Sequence, residues 1–79
     1  MDPAPDWTTE SDARGLLCPL PVLRARKAMR ALAPGQVLRL LASDPAARID
    51  VPHFCAEAGH TLVAALPEGD AVAYYLRRG

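Results

Sequence analysis

Between Val22 and Ala33 the apolar residues recur at helical spacing. Val22, Ala25, Met29, Leu32 and Ala33 share one side of a helix turning about 100° per residue, and Arg24, Arg26, Lys27 and Arg30 fan around the other side with Leu23 among them. This pattern predicts a helix from Pro19 to about Ala33, stopped by Pro34-Gly35. Over residues 36–42 the period changes to two, with Leu38, Leu40 and Ala42 alternating with Val37, Arg39 and Leu41, which predicts a strand. After the turn residues Ser43-Asp44-Pro45, the series Val51, Phe54, Cys55 and Ala58 restores helical spacing. A second helix is expected with Asp50 as N-cap, Pro52 in its first turn and Gly59 just past its end, which puts Cys55 on the buried stripe. Two short strands, 61–66 and 71–77, are joined by the hairpin signal Pro67-Glu68-Gly69-Asp70. Residues 7–12 form a weakly patterned first strand with Trp7, Thr9 and Ser11 on one side, and Gly15 is the hinge of the loop that follows.

The order is therefore β-α-β-α-β-β. Right-handed crossovers place both helices on the same face, giving an α/β two-layer sandwich with a mixed four-stranded sheet. Residues 1–6, with two prolines and two aspartates, read as a flexible leader, and residues 7–79 as one domain. A hydrophobic content of 51% is enough for one core and argues against disorder. No stretch reaches transmembrane length, and the acidic N-terminus lacks the apolar run of a secretory signal, so a cytoplasmic protein with reduced thiols is expected.

The zero net charge hides a segregation: residues 1–12 carry −4, residues 13–43 carry +6 without a single acid, and residues 44–79 carry −2. Such a basic block would lower a thiol pKa within it and attract an acidic or phosphate-bearing partner. A solvated helix face is the plainer account of the same run.

Within that block Cys18 stands directly before Pro19-Leu20-Pro21. Read as the N-cap, it makes Pro19 the first helical residue, where a missing N–H costs nothing. Pro21 has no N–H either, so Leu20 is the one backbone donor available to the sulfur. The positive end of the helix then favours a thiolate. Pro21 also occupies the place of the second cysteine in a Cys-x-x-Cys redox pair, so the chemistry is that of one nucleophilic sulfur. Cys18 is the candidate catalytic residue, Gly15, Pro19, Leu20 and Pro21 its positioning residues, and Arg24, Arg26, Lys27 and Arg30 candidate partner-binding residues. The competing account is a rigid helix start with a small buried cysteine, but Gly15 and two prolines mark an exposed corner.

The run Asp12-Ala13-Arg14-Gly15-Leu16-Leu17-Cys18-Pro19-Leu20-Pro21 resembles the signature of the TusA (SirA-like) sulfur-carrier proteins. The likeness continues through Pro34-Gly35, Ser43-Asp44-Pro45 and Asp50-Val51-Pro52-His53-Phe54-Cys55 to Gly59-His60, covering the chain from Asp12 to Arg78. Ser11 and Ser43 depart from it, standing where the family usually has an apolar residue and an acid. The resemblance implies a small cytoplasmic protein whose Cys18 carries sulfane sulfur as a persulfide. The sulfur would come from a cysteine desulfurase and pass to a DsrE-type or other thiol-bearing acceptor protein, in tRNA 2-thiouridine synthesis, molybdenum-cofactor maturation or sulfur oxidation. Other members are linked to selenium handling or regulation. No metal, nucleotide or organic cofactor is implied.

Rival readings fit less well. Cys18, Cys55, His53 and His60 match no zinc spacing. A nucleic-acid-binding or regulatory module of the same fold, using the basic first helix, would lack an exposed aromatic stripe for stacking on bases. A carrier with a C-terminal thiocarboxylate would end in Gly-Gly, whereas this chain ends Arg77-Arg78-Gly79. A Cys18–Cys55 disulfide would require Cys55 to leave the core.

Overall fold

The computed structural model describes residues 4–79, so half of the leader expected over residues 1–6 lies outside the described residues. Six elements follow in order: β1 (Thr9–Ala13), α1 (Leu20–Arg30), β2 (Val37–Ala42), α2 (Ala47–Ala58), β3 (Thr61–Glu68) and β4 (Ala71–Arg77). They form the mixed four-stranded sheet that the alternation predicts, in the order β1-β2-β4-β3. β1 runs parallel to β2, while β4 is antiparallel to both β2 and β3.

One face of the sheet carries both helices. Leu38, Leu40 and Ala42 of β2 pack with Ala13, Tyr74 and Leu76 of the neighbouring strands, against Ala25 and Met29 of α1 and Val51, Phe54 and Cys55 of α2. Leu38 and Leu40 lose all their accessible surface, each worth roughly 2 kcal/mol of transfer free energy. The opposite face has no helix. There Leu41, Ala73 and Tyr75 are flanked by Val37, Ala64 and Leu66. Arg39 crosses that face, donating to Tyr75 Oη at 3.1 Å and pairing with Glu10 and Glu68.

Helix boundaries differ from the sequence expectation for reasons local to each end. α1 starts at Leu20 with Pro19 as its N-cap, so Cys18 stands one residue outside the cap position it was expected to hold. It closes at Arg30, with Leu32 buried in the turn that follows and Ala33 exposed. α2 starts at Ala47, three residues before Asp50, because the Asp44 carboxylate accepts the Ala46 N–H at 3.1 Å and supplies the helix start itself. Asp50 is thereby the fourth residue of the helix and not its cap, Pro52 lies beyond the first turn, and Ala58 is exposed. Gly59 ends α2 as expected, in the left-handed region at φ 78°.

The parallel pairing of β1 and β2 is what builds the site. Ala13 and Ala42, the last residues of the two strands, are partners in register. The β1–α1 loop and the β2–α2 loop therefore leave the sheet side by side, at its carboxyl end.

Candidate functional site

Two hydrogen bonds tie these loops together. Gly15, at φ 80°, donates its N–H to Ser43 Oγ at 2.8 Å, and the Cys18 N–H donates to Asp44 Oδ2 at 2.7 Å. A side chain at Gly15 would be strained at this φ, so the hinge expected there has a backbone cause. Pro21 is buried and anchors the first turn of α1, whereas Pro19 and Leu20 are exposed. The Leu20 N–H bonds the Leu17 carbonyl at 2.9 Å and is not the sulfur's donor.

Cys18 Sγ turns instead toward α2 and donates to Asp50 Oδ2 at 2.9 Å. The residue is exposed and opens into a groove of about 180 Å³ between the helices. Val22 and Phe54 form its apolar walls, and Arg26, Asp50, His53 and Glu57 its polar ones. The hydrogen bond to Asp50, partial desolvation, and the charges of Asp50 and Asp44 hold the thiol pKa above its ordinary value. This corrects the lowered value expected from the helix end and the basic block. The acid-free stretch 13–43 is met in space by carboxylates from outside it, Asp50 touching the sulfur at 2.9 Å and Asp44 acting through its charge. Asp44 is held below the ordinary carboxyl range by the two N–H groups it accepts, from Cys18 and Ala46.

Arg24, Arg26, Lys27 and Arg30 are all exposed, and among the described residues none of them forms an ion pair. Only Arg26 reaches the groove, its guanidinium lying 5.0 Å from the Phe54 ring centroid. Arg30 faces a neighbouring cleft together with Arg26, His60 and Arg78. Around Cys18 the surface is also apolar: Leu17, Leu20 and Leu23 are 70%, 46% and 51% exposed. A larger cleft of about 260 Å³ between α2 and the β3–β4 hairpin is lined by Arg48, Pro52, Leu62 and Tyr74, and among the described residues it has no thiol or carboxylate in its walls.

A sequence profile of the sulfurtransferase TusA family matches residues 9–78. The chain belongs to that family. Its fold is similar to that of the SirA-like protein from Desulfitobacterium hafniense, whose crystal structure aligns with a TM-score of 0.80 at 26% identity, over 91% of this chain and 99% of that one.

In this TusA-family chain the second cysteine has a different setting. Cys55 is 3% exposed, and burial pushes its thiol up to about 11. Among the described residues no three His, Cys, Asp or Glu side chains gather as a metal site, and no helix is long and apolar enough to cross a membrane. His53 is an exposed residue of mid-α2 pairing with Glu57 at 3.3 Å, and His60 accepts the Gly79 N–H through Nδ1 at 3.1 Å.

Asp44 and Asp50 are the residues of this TusA-family site that sequence reasoning did not bring to Cys18. The signal was available: loops that follow adjacent parallel strands lie side by side, so acids just after residue 42 must approach a cysteine just after residue 13. Ser43, a departure from the family pattern, is likewise the acceptor that holds Gly15.

Proposed function

We propose that this TusA-family chain is a sulfur carrier in which Cys18 accepts sulfane sulfur as a persulfide from a cysteine desulfurase and delivers it to the thiol of an acceptor protein, DsrE-type or another. The observation that supports the reading is an exposed thiol at a groove mouth, in a chain whose other thiol is buried. On loading, Sγ bonds the outer sulfur of the donor persulfide, and the bond between the donor's two sulfurs breaks. On delivery, the acceptor thiolate bonds that outer sulfur and Sγ leaves. The exchange needs no external oxidant, reductant or cofactor. It needs a free thiol, which suits a reducing compartment such as the cytoplasm.

Partner recognition falls to the surface around the sulfur. Leu17, Leu20 and Leu23 offer an apolar patch, and Arg24, Arg26, Lys27 and Arg30 a basic margin for acidic partner residues. Gly15, Pro19 and Pro21 fix the loop that presents the sulfur. The test is intact-mass analysis after incubation with a cysteine desulfurase and cysteine. One added sulfur is expected on wild type and on Cys55→Ala, and none on Cys18→Ala. Addition that persists in Cys18→Ala refutes the reading. Charge reversal at Arg26 and Lys27 is expected to slow transfer from the desulfurase more than it slows alkylation by a small reagent, and equal loss in both refutes the docking role.

A further inference from the structure

The contact between Cys18 and Asp50 joins the groove's nucleophile to a carboxylate from the opposite helix, through a hydrogen bond of 2.9 Å. It is not a capping contact, because Asp50 lies inside α2 and its carboxylate satisfies no helix N–H. The other charged groups of the groove are differently engaged. Asp44, from the β2–α2 loop, is occupied by the N–H groups of Cys18 and Ala46. His53 and Glu57, further along α2, pair with each other, and Arg26 of α1 lies over Phe54. Among the described residues Asp50 is thus the one carboxylate that touches the reacting atom.

We propose that Asp50 is a catalytic residue, the proton-transfer partner of Cys18: its carboxylate takes the thiol proton as Sγ bonds the incoming sulfur and relays a proton from solvent back to Sγ as it leaves. This rests on the carrier reading above. In the loading step the Sγ–H bond breaks, a bond forms between Sγ and the donor's outer sulfur, the donor's S–S bond breaks, and the electron pair of that bond leaves on the donor thiolate. As the new S–S bond forms, the proton on Sγ becomes strongly acidic, and a carboxylate in hydrogen-bond contact is its nearest acceptor. The donor thiolate then takes a proton from solvent. After loading the carboxylate gives its proton to solvent; in the delivery step Sγ departs with the electron pair of its S–S bond and takes a proton from solvent by way of Asp50, restoring the thiol and the 2.9 Å contact. The outer sulfur keeps its oxidation level throughout.

A second consequence concerns the unloaded protein. With the carboxylate in place, Cys18 rests as a thiol, so reagents that consume only thiolate react slowly. A persulfide partner reacts because proton removal accompanies bond formation. Losing Asp50 should therefore move two reactivities in opposite directions, which a merely structural role would not do.

The experiment compares wild type, Asp50→Asn and Asp50→Glu as full chains. Two readouts are taken: iodoacetamide alkylation of Cys18 across pH, and single-turnover uptake of sulfur from glutathione persulfide by intact mass. For Asp50→Asn, alkylation at neutral pH is expected to rise several-fold with its profile displaced to lower pH, while sulfur uptake falls about tenfold, a positioned proton-transfer group contributing on the order of a hundredfold against the gain in thiolate. Asp50→Glu, which keeps a carboxylate, is expected to recover part of the uptake. An alkylation profile that does not move, or uptake that is unchanged or raised in Asp50→Asn, overturns the assignment. A wild-type chain that takes no sulfur from this donor or from a desulfurase overturns the carrier reading and the transfer step with it, while the alkylation profiles still report whether Asp50 holds the thiol.

Discussion

Cys55 and Cys18 both hold their protons more tightly than a free cysteine does, and they do so for opposite reasons. Cys55 faces the core from α2, and burial alone pushes its thiol up to about 11. Cys18 is exposed and is held up first by the hydrogen bond to Asp50. The same helix provides both environments: Asp50 and Cys55 are five residues apart, about 140° of rotation, so one points into the groove while the other points at the sheet. Burial gives a proton no acceptor and a partner no access. A carboxylate contact gives the proton an acceptor and leaves the sulfur reachable. A raised thiol pKa is therefore not in itself a sign of inertness; the group that raises it decides.

The largest expected effect is the ratio of reactivities. In native protein, iodoacetamide should modify Cys18 and spare Cys55, whose reaction waits on opening of the core. For a domain of ordinary stability that protection is at least roughly 1,000-fold. Intact mass over time should show one adduct, with a second appearing only in denaturant. Two adducts forming at similar rates would erase the contrast between the sulfurs.

Next in size is the alkaline limb of stability. The Cys55 thiol is raised from an ordinary 9.0 to about 11, so its proton is held more tightly in the folded chain than in the unfolded one. The contribution is fully present below about pH 9 and is lost as pH rises through 11, by about 3 kcal/mol at most. Urea unfolding of wild type and Cys55→Ala at pH 8 and pH 11 isolates it, because other titrations cancel in the difference. The two curves should draw together at high pH. Cys55→Ser should cost about 1–2 kcal/mol at pH 7 by burying a hydroxyl without a partner. Cys18→Ser, at an exposed position, should leave the urea midpoint in place.

The two sulfurs also differ in how readable they were. Cys55 was assignable from spacing alone, because a helix stripe is a one-dimensional pattern and Val51, Phe54 and Cys55 are all buried where it puts them. The element order and the mixed sheet follow from the same kind of pattern, since each strand or helix announces itself over consecutive residues. The exposure of Cys18 was legible from Gly15 and the two prolines. Its charge environment was legible only by way of the topology and not from spacing, because Asp44 and Asp50 lie 26 and 32 residues away in the chain and meet the cysteine through the parallel pairing of β1 with β2. Counting acids along residues 13–43 gave the wrong sign for that reason. The start of α2 was misplaced by a related cause: Asp44 sets the turn that precedes the helix by accepting the Ala46 N–H, and the Cys18 N–H from the other loop fixes that carboxylate.

The smallest effect separates the two aspartates. Asp44 accepts the N–H groups of Cys18 and Ala46, so it holds the loop and the start of α2, but it reaches the sulfur only through its charge. Asp44→Ala should therefore speed Cys18 alkylation less than Asp50→Asn does, while lowering stability modestly by leaving the Cys18 and Ala46 N–H groups without their acceptor. Because the folded chain holds the Asp44 carboxyl below its ordinary value of 3.8, that stabilisation is present above about pH 4 and fades as pH falls further. Unfolding midpoints of wild type and Asp44→Ala should differ at pH 7 and converge in acid. Equal acceleration of alkylation by the two aspartate variants would mean that net negative charge, and not the hydrogen bond from Sγ, holds the proton on Cys18.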